Sequence, residues 1–351
     1  MVTRLGGASR LRGSGSSGAG SGLRRGRPSG GLPGVRWFMA RLAAALAAVL
    51  IVVTTAGFLL SRQASGTPAS WARSSGSDAV WVSGDVSSVP SSVRYVNVYA
   101  GQFSSSGAFT PAADASSLAR SLRGHVVLAW VTGAVGVGQL SLDSVSVRAS
   151  VVSVSRGLLR SGFSGLSLDL GPVASGDTGL LTLLSALRAL RPSVLDVMTP
   201  KLEPLTGLTI PASLMLGHPV FWTGAYLSRV AALATQVTVL AYSTGLPFPS
   251  WYSGYVSHET RAAVSAVAGT GASLLIGVPA FTESTTGHHG SAETVGSALA
   301  GVRAGLTRSG HVKFPFGVGL VVPPPGTAGF VPAPSSANWS DYRSGWLSPA
   351  A

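Results

Sequence analysis

The stretch GFSGLSLDLG, residues 162–171, is apolar at alternate positions and delivers one carboxylate, Asp169. At a period of two, Ser167, Asp169 and Gly171 share one face of a strand. Apolar flanks turn that face inward, where a lone carboxylate is costly. Two readings follow. Asp169 is a structural acid accepting backbone or hydroxyl donors, or it is a pocket acid that holds a polar ligand or moves a proton. The choice depends on what the rest of the chain brings beside it.

Eight short, Val-rich apolar runs recur after residue 78: AVWVS (79–83), VRYVNVYA (93–100), HVVLAWVTG (125–133), FSGLSLDL (163–170), VLDVMTP (194–200), VTVLAYST (237–244), SLLIGVPAF (273–281) and FGVGLVV (316–322). They read as strands covered on both faces. Helical segments alternate with them. Asp114 can cap ASSLARSLRG, and Asp177 can cap TGLLTLLSALRAL, whose Leu180, Leu184 and Leu187 fall on one face. Ser291 can cap a third, with Val295, Leu299, Val302 and Leu306 in register. Residues 144–159 alternate early like a strand, yet their place between two strands favours a helix. The pattern predicts an α/β fold, a (β/α)8 TIM barrel, over residues 78–351. An open doubly wound sheet is the alternative. GAVGVG (133–138) does not complete a dinucleotide fingerprint.

In such a barrel the site forms at the strand C-terminal ends. Those ends offer Asp85, then Tyr99 and Gln102, then Trp130 and Thr132, then Asp169. Lys201 and Glu203 follow the fifth strand, Tyr242 and Ser243 end the sixth, and Glu283 follows the seventh. The eighth ends in VVPPP and offers no polar side chain. The adjacent histidines of TTGHHGSAE (285–293) lack an i,i+4 partner or nearby Asp, so they read as a solvated loop and no metal is expected. No cofactor is expected, and the absence of Cys excludes thiolate chemistry and disulfides.

FSGLSLDLG resembles the fourth-strand motif of glycoside hydrolase family 18, the chitinase-like barrels, which reads D-G-x-D-x-D-x-E. Laid on this chain the motif falls on Ser164, Gly165, Ser167, Asp169 and Gly171. Gly165 and Asp169 match, two Asp positions are Ser, and the terminal Glu is Gly171. LDVMTP (195–200) is similar to the family's fifth strand, VTVLAYS to its sixth, LLIGVPAF to its seventh and ANWSDYRSGWL (337–347) to its final helix. The resemblance implies a reaction in which the Glu protonates the leaving oxygen. The substrate's N-acetyl group then attacks, steadied by the neighbouring Asp. Gly171 has no proton to give, the sixth-strand Asp is Ser243, and Val322–Pro323 stand where a Trp would floor the sugar pocket. General acid catalysis contributes about 10²–10⁴-fold, so this departure predicts near silence in the family's reaction.

Three functions stay open, and whether the chain is an enzyme stays open with them. One is a non-hydrolytic chitinase-like barrel that binds polysaccharide or cell-wall glycan at the strand ends, with Tyr99, Trp130, Tyr242, Trp222 and Trp251 as stacking aromatics. Another is a glycoside hydrolase with relocated carboxylates, Asp169 pairing with Glu203 or Glu283 about 5–9.5 Å away. The third is a structural or protein-interaction ectodomain.

The chain has 351 residues and a net charge of +13. Ten Arg and no acid fall within residues 1–77, leaving 15 basic against 12 acidic residues beyond. The folded part therefore carries no nucleic-acid footprint. Residues 1–41 read as a basic disordered cytoplasmic tail. Residues 42–61 read as a transmembrane anchor, whose first 19 residues, LAAALAAVLIVVTTAGFLL, are uncharged. Residues 62–77 read as a linker. Arg36 and Arg41 before the run place the N-terminus in the cytoplasm and the barrel outside a cell membrane, as a single-pass protein. Secretion after signal cleavage is the alternative.

Overall fold

The computed structural model describes residues 33–84, 86–202, 221–285, 287–327 and 329–347. The chain divides into two units, Met1–Val52 and Val53–Ala351. Helix α1 (Pro33–Gln63) begins in the first and ends in the second. It starts earlier than the apolar run because nothing between Pro33 and Leu42 breaks a helix. Its described side chains include exposed Phe38, Met39, Leu42, Leu46, Ile51, Phe58 and Leu59. Among the described residues no helix is long and apolar enough to cross a membrane, so the expected span at 42–61 is not found there.

The second unit is built on nine strands: β1 (Ala79–Val82), β2 (Tyr95–Phe103), β3 (Phe109–Pro111), β4 (Val126–Ala134), β5 (Gly165–Gly171), β6 (Val194–Thr199), β7 (Gln236–Leu240), β8 (Ser273–Pro279) and β9 (Phe316–Val321). All except β3 pair in parallel, in the order β1-β9-β8-β7-β6-β5-β4-β2, and β1 also pairs with β2. That pairing closes eight parallel strands into a barrel. The short β3 returns antiparallel along the end of β2. Each of the eight expected apolar runs forms one barrel strand.

Helices α2 (Ala115–Ser121), α3 (Val145–Arg160), α4 (Thr178–Arg188), α5 (Gly224–Leu233), α6 (Pro249–Val267) and α7 (Val295–Ser309) follow successive strands. A last helix, α8 (Ser336–Tyr342), runs into a π-turn at Arg343–Leu347. Among the described residues no helix joins β1 to β2. Residues 144–159 are helical, capped by the Ser144 side chain. Asp177 caps α4 by accepting the Leu180 N–H at 2.7 Å. Asp114 stands before α2, but its side chain makes no capping bond there. The cap of α7 is Thr294, not Ser291. The Ala292 and Glu293 amides both close onto the His289 carbonyl, so a turn delays the helix by three residues.

The barrel interior is packed with side chains. Trp81 and Trp130 are fully buried within it. A Cβ on Gly319 would run into the Trp81 ring, so glycine on β9 makes room for that indole. Gly165 is required for a similar reason, because a Cβ there would strike the Val194 carbonyl of β6. At the base, buried Asp78 accepts the Val318 amide at 2.8 Å, the Tyr342 hydroxyl at 2.7 Å and the Trp346 indole at 2.9 Å. One acid thus fastens the C-terminal segment under β1 and β9.

Candidate functional site at the barrel mouth

Strand register sets the layers of the interior. Tyr99, Trp130, Ser167, Asp196 and Gln236 are neighbours in one row across β2, β4, β5, β6 and β7. Two residues nearer the mouth, Thr132 pairs with Asp169. Asp169 therefore stands one layer above Asp196.

Asp169 is half-buried and accepts one side-chain bond, from Trp130 Nε1 at 3.4 Å. The residue keeps some exposure, yet its carboxyl is enclosed by protein, and desolvation lifts its pKa to about 6. Trp130 in turn meets Tyr99 edge to face, with centroids 5.4 Å apart. Among the described residues no backbone or hydroxyl donor joins the Trp130 indole at this carboxyl.

Asp196 is the opposite case. It is fully enclosed, with Ser167 Oγ 2.7 Å from Oδ2 and Thr238 Oγ1 2.8 Å from Oδ1. Desolvation raises its pKa to about 6 against those hydroxyls, and the charge of Asp169 adds to the rise. Sequence reading missed it, although an Asp inside VLDVMTP and in register with Ser167 was the available signal.

The rim is a set of closed polar contacts. Lys201 Nζ donates to the Tyr242 and Ser243 carbonyls, both at 2.9 Å, and burial lowers its pKa. Glu259 on α6, fully buried, accepts the Leu202 amide at 3.0 Å and the Tyr255 hydroxyl at 2.7 Å. Desolvation raises its pKa to about 7. Glu293 gathers the Thr244 and Gly245 amides at 3.1 Å and His288 Nδ1 at 3.1 Å. Burial pushes its carboxyl up, but these donors, His288 foremost, outweigh it and hold the pKa low. His288 is thus buried, against the expected solvated loop, and its ring lies 4.4 Å from that of Phe281. Among the described residues no three His, Asp or Glu side chains converge as metal ligands do.

The expected site residues separate. Tyr99 and Tyr242 keep partial exposure at the mouth, Tyr242 edge to face with Phe281. Trp130 and Trp222 are buried, so neither ring offers a face to a sugar. Trp222 donates to the Val173 carbonyl at 2.8 Å and meets Tyr226 edge to face, which makes it core. Trp251 lies on α6 against Gly57 of α1 and beside Phe248, outside the ring of strands. Glu283 is exposed on the loop after β8 and packs over Gly329. Glu203 and Asp85 lie outside the described residues. Gly171 ends β5 in open space, where a Cβ would find its nearest neighbour, Val173 N, at 4.0 Å. Among the described residues the mouth therefore holds one partly exposed acid, two partly open tyrosines and an open place at Gly171.

No family model matches the sequence, and no curated protein matches it. Among solved structures, the chain is similar to the spore cortex-lytic enzyme SleL of Bacillus cereus, at 12% identity and a TM-score of 0.45 over 60% of this chain and 52% of that one. It is also similar to a chitinase of Rhizomucor miehei, at 18% identity and 0.45 over 59% and 64%. A putative sporulation-specific glycosylase of Bacillus subtilis gives 16% and 0.40 over 52% and 62%. The chain thus spans between half and two thirds of each of these structures. At such scores the likeness lends no weight of its own, and the barrel assignment stands on the strand pairing.

Proposed function

We propose that this protein is a membrane-anchored, extracytoplasmic chitinase-like barrel that binds glycan at the strand C-terminal ends without hydrolysing it. The observation that carries this reading is the pairing of Asp169 with Gly171. A partly exposed acid remains at the mouth, while the neighbouring position that would deliver a proton has no side chain. Asp169 offers a carboxylate to hydroxyl or N-acetyl N–H donors, and Tyr99 and Tyr242 offer ring surface. Asp196 does not replace the missing acid, because it is sealed one layer below.

Anchoring is supported by where apolar surface is left uncovered. Eleven large apolar side chains are exposed among the described residues, and seven of them lie on α1. A cluster of that kind marks a surface meant for an apolar environment. The Arg-rich N-terminal side then faces the cytoplasm. The function is tested by mixing the full chain with oligomers of N-acetylglucosamine and measuring both retention and cleavage. Retention of intact oligomer supports the reading, and absence of retention defeats it.

A further inference from the structure

We propose that the mouth-side end of α6 seats in the bilayer interface, so that the barrel takes glycan presented at the membrane surface, such as a lipid-linked saccharide. This inference rests on the anchoring reading above and adds an orientation to it.

The last turns of α1 define that orientation. A Cβ on Gly57 would strike the Trp251 ring, and one on Gly254 would strike the Leu60 carbonyl. Ser257 Oγ donates to the Gln63 carbonyl at 2.9 Å. Positions 57, 60 and 63 therefore step alongside 251, 254 and 257, and the two helices run parallel. Small residues at the crossing permit the close approach that apolar helices use. Helix α6 follows β7, so its first turn lies at the mouth end of the barrel. The apolar run ends at Leu60, hence its final residues lie along the mouth-side half of α6.

The surface beside those residues is sorted as an interface would require. Residues 230–257 contain no Asp, Glu, Lys, Arg or His. Within them Pro247, Phe248, Pro249 and Ser250 are exposed, and Phe248 meets Trp251 edge to face at 4.9 Å. Cations begin where α1 ends. Arg308 donates to Gln63 Oε1 at 3.0 Å and to the Arg62 carbonyl at 2.6 Å, and Arg261 reaches Gln63 Oε1 at 3.5 Å. None of these arginines is in an ion pair among the described residues. Six helical steps separate Gly57 from Gln63, about 9 Å. One headgroup layer is about 5–8 Å thick. Aromatic side chains at one edge of such a layer and cations at the other match the two faces of a bilayer interface.

The full chain reconstituted in phosphatidylcholine vesicles tests this. Shallow brominated lipids should quench its Trp emission more than that of Trp251→Phe, and Phe248→Asp should cut the Trp251 share at least about twofold. A lipid-linked N-acetylglucosamine oligomer in the same vesicles should be held about tenfold better than the free oligomer, through effective concentration. Alkaline carbonate extraction separates the failures. Release of the chain removes the anchoring and this seat together. Resistance to extraction with equal quenching of wild type and Trp251→Phe, or with no preference for the lipid-linked oligomer, removes the inference alone.

Discussion

The Trp130 indole nitrogen lies 3.4 Å from Asp169 Oδ2, and it is the one side-chain donor that reaches that carboxylate among the described residues. The bond is long, so the carboxylate keeps hydrogen-bonding capacity that no other described side chain uses.

A ligand held by that carboxylate should bind with a pH dependence. Asp169 is charged above about pH 6 and neutral below it. Hydrogen bonds to charged acceptors are worth about 1 kcal/mol more than neutral ones, so affinity should fall about fivefold as pH drops through 6. Calorimetric titration of the full chain at several pH values measures the step. Asp169→Asn should abolish it, and an unchanged step in that variant would move the ligand elsewhere.

Asp196 makes a separate prediction about stability. Its folded pKa of about 6 lies above the model-peptide value of about 3.9. The native state thus binds a proton that the unfolded chain has released. The stabilisation is complete below about pH 3.9 and is lost as pH rises through about 6. Two units correspond to at most about 3 kcal/mol. Asp78, Asp169 and Glu259 add slope in the same sense, while Glu293, held low, opposes it in the acid range and His258, lowered by burial, opposes it near neutrality, one group against four. Urea midpoints should therefore rise from pH 7 to pH 5, and Asp196→Asn should remove part of that rise. A flat wild-type profile would contradict the burial argument.

The base of the barrel should depend on Asp78. Its carboxylate satisfies Val318, Tyr342 and Trp346 together. Asp78→Ala leaves three buried donors without a partner, at about 3 kcal/mol or more. Asp78→Asn should cost less. The comparison is read from urea unfolding, and equal stability of Asp78→Ala and wild type would remove the fastening role.

Gly171→Glu should fold, because the position has open space for a Cβ. The new carboxyl would stand beside Asp169, whose charge raises a neighbour's pKa and favours a protonated acid. Melting should shift by no more than about 4 °C, within the effect of about 1 kcal/mol. Cleavage of chitooligosaccharide should become detectable where the wild type shows none. A folded variant without any turnover would mean that Ser164, Ser167 and Ser243 matter as much as the absent acid.

Most of the barrel was legible in the sequence. Eight apolar runs and the period-two face of Ser167, Asp169 and Gly171 reflect local side-chain patterning, which the chain states directly. Hydrogen-bonded partners were less legible. Asp196, Glu259 and Glu293 find their donors on other elements, and no spacing along the chain encodes a contact between Leu202 and Glu259. The aromatics failed for a related reason. Trp222 and Trp130 read as stacking surfaces by type, yet ring burial depends on what packs over them. Ser291 misled because a turn closed by the His289 carbonyl comes before the helix.

Binding without cleavage is decided by equilibrium dialysis against a chromophore-labelled N-acetylglucosamine pentamer, followed by sizing of the label. The full chain should concentrate the label, Asp169→Asn should do so less well, and every recovered oligomer should keep its length. Shortened oligomers, or no concentration of label at any pH between about 5 and 8, would contradict it.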